Sequence, residues 1–104
     1  MLFRSDERFW EAEIHRLRGV VLLRQPGTPQ VDAEACFQRA LEVARRQQAK
    51  SLELRAAMSL ARLWQQQDRR AEAHELLAPV YGWFTEGFDT ADLKNAEALL
   101  EELS

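Results

Sequence analysis

Two stretches of this chain repeat one another, and that constrains its fold more than any other feature. Gly19, Ala33, Phe37 and Ala40 match Ala61, Ala73, Leu77 and Val80 at separations of 42, 40, 40 and 40 residues. The two-residue excess falls in the turn Gln25-Pro-Gly-Thr-Pro29, so the match survives a loop insertion. Self-similarity at a fixed period marks stacked units, each of which needs a neighbour to cover its apolar face. With 104 residues there is room for two such units and a terminal element. A chain of that size buries roughly two-thirds of its unfolded surface, so stability is modest.

The units read as helical hairpins. Trp10, Ile14, Leu17 and Val21 recur at steps of four, three and four, the one-face spacing of an amphipathic helix from about Asp6 to Arg24. Pro26, Gly27 and Pro29 end it, with Thr28 as N-cap and Pro29 as the first residue of the next helix. That second helix carries Ala33, Phe37, Ala40, Leu41 and Ala44, a narrow face of mostly small residues that lets a neighbour approach closely. Repeat one therefore spans about 6–48. Between Gln47 and Ser51 there is neither Gly nor Pro, and a break there rests on Ser51 as N-cap with Glu53 in the first turn. The alternative is one rod of about 39 residues, close to 60 Å long.

Repeat two, about 51–86, begins with a helix bearing Leu54, Ala57, Met58, Ala61 and Trp64. A polar turn, Gln65 to Arg69, follows, in which Asp68 can cap the next helix. That helix presents Ala73, Leu76, Leu77, Val80, Tyr81 and Phe84, with Pro79 inside it as the expected site of a kink. Thr90 then caps a final helix, about 90–103, with Leu93, Ala96, Leu100 and Leu103 on one side. No strand pattern appears. The reading is one all-α domain over residues 1–104: two helical hairpins and a C-terminal capping helix. The aromatic stretch YGWFTEGFDT is then mainly a packed corner, in which Gly87 ends the fourth helix and Phe88 folds back over it. Aromatics with polar tips also line pockets, and Tyr81, Trp83 and Phe88 form the alternative, a small-molecule site of a regulatory sensor.

The matched positions resemble the tetratricopeptide pattern, with a small residue on the first helix facing alanine, a large apolar residue and alanine on the second. The blocks WEAEIHRLRG, AEACFQRALEVARRQ, KSLELRAAMSLARLW and LLAPVYGWFTEGFDTADLKNAEALLEEL, from Trp10 to Ser104, are similar to one group more closely. That group is the C-terminal region of bacterial predicted-ATPase and adenylate/guanylate-cyclase-like signalling proteins, whose repeats follow a nucleotide-binding domain. The resemblance implies a tetratricopeptide-like α-α superhelix and a fragment or relative of that region. The phosphate-binding motif G-x-x-x-x-G-K-[ST] is not in this sequence, so the parental activity does not carry over.

Charge and composition narrow the function classes. A net charge of −3 and a pI near 5.4 argue against nucleic acid as the partner. A single cysteine, Cys36, fits a reducing cytoplasm, and no apolar run is long enough to span a bilayer. His15 and His74 lie far apart in sequence, and Cys36 has no base spaced to activate it, so no catalytic residue, metal site or cofactor is expected.

What remains is recognition. The resemblance implies that the first helix of each hairpin lines a concave groove, which carries across to Glu13, Arg16, Val20, Leu23 and Arg24 in repeat one. Repeat two supplies Arg55, Met58, Arg62, Gln65 and Gln66. Arg16, Arg55 and Arg62 suit carboxylates through paired, charge-assisted hydrogen bonds, so an acidic peptide is the expected ligand of a non-enzymatic scaffold. The free side of the first helix, with Phe3, Phe9, Val20, Leu22 and Leu23, lacks the polar cap that solenoid ends require, and a homodimer is the expectation.

Overall fold

The computed structural model describes residues 10–27, 29–84 and 91–104. These form α1 (Glu11–Arg24), α2 (Gln30–Gln47), α3 (Lys50–Gln66), α4 (Arg70–Trp83) and α5 (Ala91–Leu103), with no strand among the described residues. The chain is all-α. Each helix packs on its successor, and α3 additionally touches α1 and α5, so α3 meets every other helix. The result is a slab of 44 × 40 × 20 Å, about two helix diameters thick. Phe3, Phe9, Thr28, Gly87, Phe88 and Thr90, to which caps and contacts were assigned from sequence, lie outside the described residues.

No continuous rod runs through Gln48, but Ser51 is not what breaks it. Gln48 adopts the left-handed conformation, φ 56° and ψ 33°. Its N–H donates to the Arg45 carbonyl at 3.1 Å, and that of Ala49 to the Ala44 carbonyl at 2.9 Å. This doubly bonded closure satisfies carbonyls that the helix end would otherwise strand. Ser51 lies within α3, which begins at Lys50 and has no side-chain cap. The next turn repeats the device at Asp68, φ 63°. Asp68 donates its N–H to Gln65 at 3.1 Å and Arg69 its N–H to Trp64 at 2.8 Å, so Asp68 closes α3 rather than capping α4. Glu53, buried near the start of α3, accepts hydrogen bonds from Arg45 at 3.1 Å and Lys50 at 3.2 Å and ties α2 to α3 across the first of these turns.

The core follows the repeated positions. Ala33, Phe37, Ala40 and Leu41 of α2 share one cluster with Leu54, Ala57, Met58 and Ala61 of α3, and with Ala73, Leu77 and Val80 of α4. Leu93, Ala96, Leu99 and Leu103 extend it along α5. A second row on α3, Leu52, Ala56, Leu60 and Leu63, is also buried, as befits a helix covered on several sides. Pro79 is accommodated within α4, which continues past it to Trp83.

The first helix turns the other way from what its periodicity suggests. Its buried residues are Ala12, Glu13 and Gly19, whereas Trp10, Ile14, Leu17 and Val21 are 49%, 54%, 50% and 53% exposed. Gly19 takes the Phe37 ring against its backbone, an approach that only the small side of α1 permits. Close packing selected the small face, and the larger apolar one was left outside.

Candidate functional site

The concave-groove residues come together, but mostly with each other. Glu13 is buried in α1, and Arg16, one turn on, clasps it with two hydrogen bonds, Nε to Oε1 at 2.7 Å and Nη2 to Oε2 at 3.0 Å. Arg16 also reaches Ser59 Oγ on α3 at 3.5 Å. From α3, Arg55 donates to Glu13 Oε2 at 3.5 Å and, through Nε, to Asp92 Oδ2 on α5 at 2.9 Å. A chain Arg16, Glu13, Arg55, Asp92 thus crosses α1, α3 and α5. The Arg16 hydrogen bond holds the Glu13 carboxyl below the usual carboxylate range against the opposing effect of burial. The Asp92 hydrogen bond likewise raises Arg55, with burial again opposing. Two of the three groove arginines are therefore already paired.

Arg62 differs. It is exposed on α3 and makes no ion pair among the described residues. It borders a cleft of about 310 Å³ between α3 and α5, together with Gln65, Gln66, Asn95 and Glu102 and with Leu99 beneath. Gln65 Nε2 donates to Glu102 Oε1 across the cleft at 3.1 Å. Met58 is buried in the core, and Val20 packs partly buried against it, so neither forms part of an open wall. Leu23 and Arg24 face solvent at the end of α1. Periodicity missed the α5 wall, Asn95 and Glu102, because they lie outside the repeated hairpins.

Of the self-association residues, Val20 and Leu22 are partly buried against the core, and Leu23 is exposed. The most exposed large apolar side chains of α1 and its N-cap are Trp10, Ile14, Leu17 and Val21, each about half exposed. At the aromatic corner, Tyr81 and Phe84 pack on the core, and the Tyr81 hydroxyl donates to Glu97 Oε2 at 2.9 Å, joining α4 to α5. Trp83 faces solvent, edge-on to Phe84 with ring centres 5.1 Å apart and with Lys50 Nζ 5.4 Å from its own ring centre.

His15 lies 3.9 Å from Glu11 on α1, and His74 is on α4. Among the described residues no three His, Cys, Asp or Glu side chains come together to hold a metal ion, and no helix is long and apolar enough to cross a membrane.

Fold and site together define an all-α chain with a polar cleft between α3 and α5 and an apolar face on α1. No protein-family model, curated protein or solved structure matches it.

Proposed function

We propose that this chain is a non-enzymatic, tetratricopeptide-like module that binds an acidic, extended segment of a partner protein, working by shape and side-chain presentation. On this reading it is a fragment or relative of the C-terminal repeat region of bacterial signalling ATPases or cyclases and works in the cytoplasm. Support for the architecture comes from the packing of α1 on α3 and of α3 on α5, contacts that a stack of hairpins with their first helices side by side would make.

The observation that carries the ligand class is the α3/α5 cleft, where the Arg62 guanidinium, in no ion pair among the described residues, stands beside the amides of Gln65, Gln66 and Asn95, with Gln65 holding the Glu102 carboxylate of the opposite wall. Amides both donate and accept, so they match a peptide main chain, while Arg62 selects a carboxylate. Arg16 and Arg55 contribute by bracing the wall, since Glu13 and Asp92 already neutralise them.

The test uses fluorescence anisotropy with labelled peptide pools, one rich in Asp and Glu and one rich in Lys and Arg. The acidic pool is expected to bind, and Arg62→Glu to weaken it by about tenfold or more. Equal binding of both pools, or none at millimolar peptide, overturns the reading.

A further inference from the structure

The half-exposed apolar face of α1 has the geometry of a helix-pairing seam. Trp10, Ile14, Leu17 and Val21 are spaced four, three and four, which puts Ile14 and Val21 at the a positions of a heptad and Trp10 and Leu17 at d. All are about half exposed. Glu11 and Arg18 then share the e flank, seven residues apart. Arg18 is exposed and makes no ion pair among the described residues, and the Glu11 side chain is 44% exposed.

We infer that α1 docks on α1 of a second copy of this chain, antiparallel and about a two-fold axis. In that arrangement a faces d, so Ile14 meets the partner's Leu17 and Trp10 meets the partner's Val21. The e flanks face each other, so Glu11 meets the partner's Arg18 and Arg18 the partner's Glu11. The pattern is self-complementary, as an isologous contact requires. A parallel pair would need its g-to-e ion pair from Glu13 to the partner's Arg18. Glu13 is 9% exposed and is held by Arg16 and Arg55, so it is not free to supply that pair. Charge complementarity thus selects both the occupant and its direction. The seam is independent of the α3/α5 cleft, and its failure would leave the peptide-binding reading intact.

With four apolar side chains per copy, the interface belongs to the small, transient class, so dissociation in the micromolar range is expected. Sedimentation velocity from 1 µM to 1 mM, at low salt and with reductant to keep Cys36 free, reads it. The wild type should pass from monomer to dimer, and Ile14→Asp, on the solvent side of α1, should stay monomeric with an unchanged helical circular dichroism spectrum.

Two single charge reversals test direction. Glu11→Arg and Arg18→Glu should each weaken the homodimer roughly tenfold, as two attractive pairs become repulsive. The double variant should restore it, and mixing the two single variants should yield a heterodimer. A wild-type monomer throughout overturns the inference, and so does a dimer indifferent to both charge reversals.

Discussion

Gly19 lies under the Phe37 ring so closely that a Cβ at residue 19 would stand 2.6 Å from Cε1. Two effects oppose each other on replacing this glycine. Alanine improves a helix interior by about 1 kcal/mol. The clash costs more, because Phe37 is 1% exposed and its ring has nowhere to go, and overpacking of this kind costs about 1–3 kcal/mol. Gly19→Ala is therefore expected to lower stability by up to about 2 kcal/mol in urea denaturation. Phe37→Leu in that background should cost much less than in the wild type, a coupling that a double-mutant cycle reads directly.

Gln48 holds a left-handed backbone at φ 56° without glycine's freedom. The conformation costs an ordinary residue about 1–2 kcal/mol, part of which glycine gives back through its more flexible unfolded chain. Gln48→Gly should raise stability by about 0.5–1 kcal/mol, seen as a higher urea midpoint with unchanged slope. A loss of stability would mean that the Gln48 side chain contributes more than its backbone strain removes.

Glu13 gives the fold a pH dependence of definite sign. Its pKa is lowered in the folded state, so its stabilisation is present above the ordinary carboxylate value of 4.5 and is lost as pH falls through the lower folded value. Wild-type stability should fall below pH 4.5, and Glu13→Gln should flatten that part of the profile. At pH 7 the same variant leaves Arg16 and Arg55 facing each other. Because Arg55 is partly exposed, the expected loss is about 1–2 kcal/mol, less than for a fully buried pair.

Pro79 removes a backbone donor from the interior of α4, opposite the Glu75 carbonyl, and its own ring is exposed. Pro79→Ala restores that hydrogen bond at little packing cost. Stability should rise by about 1–3 kcal/mol, which for a chain of this size is a melting temperature several degrees higher in differential scanning calorimetry.

How far these features could be read from sequence depends on the kind of signal each leaves. Phe37 and Gly19 were legible because a large residue facing a small one recurs as Leu77 and Ala61, and all four except Gly19 belong to one buried cluster. The break at Gln48 falls where the sequence allows one, but its cause, a left-handed glutamine rather than a serine cap, carries no compositional mark. For α1, periodicity showed that Trp10, Ile14, Leu17 and Val21 share a side but not which way it points, and the small face won the close contact. In the groove, Arg16 and Glu13 are three residues apart and could be paired by spacing alone. Arg55 reaches Glu13 across 42 residues and Asp92 across 37, distances that only the stacking of α1, α3 and α5 resolves.

The central position of α3 sets how the molecule opens. A helix enclosed by all its neighbours exposes its amides to exchange only when the whole structure comes apart, while the outermost helices can fray one at a time at lower free energy. Because the main contacts among the described helices join neighbours or next neighbours along the chain, few distant segments must find each other first, and refolding should be fast, with α3 as its organising centre.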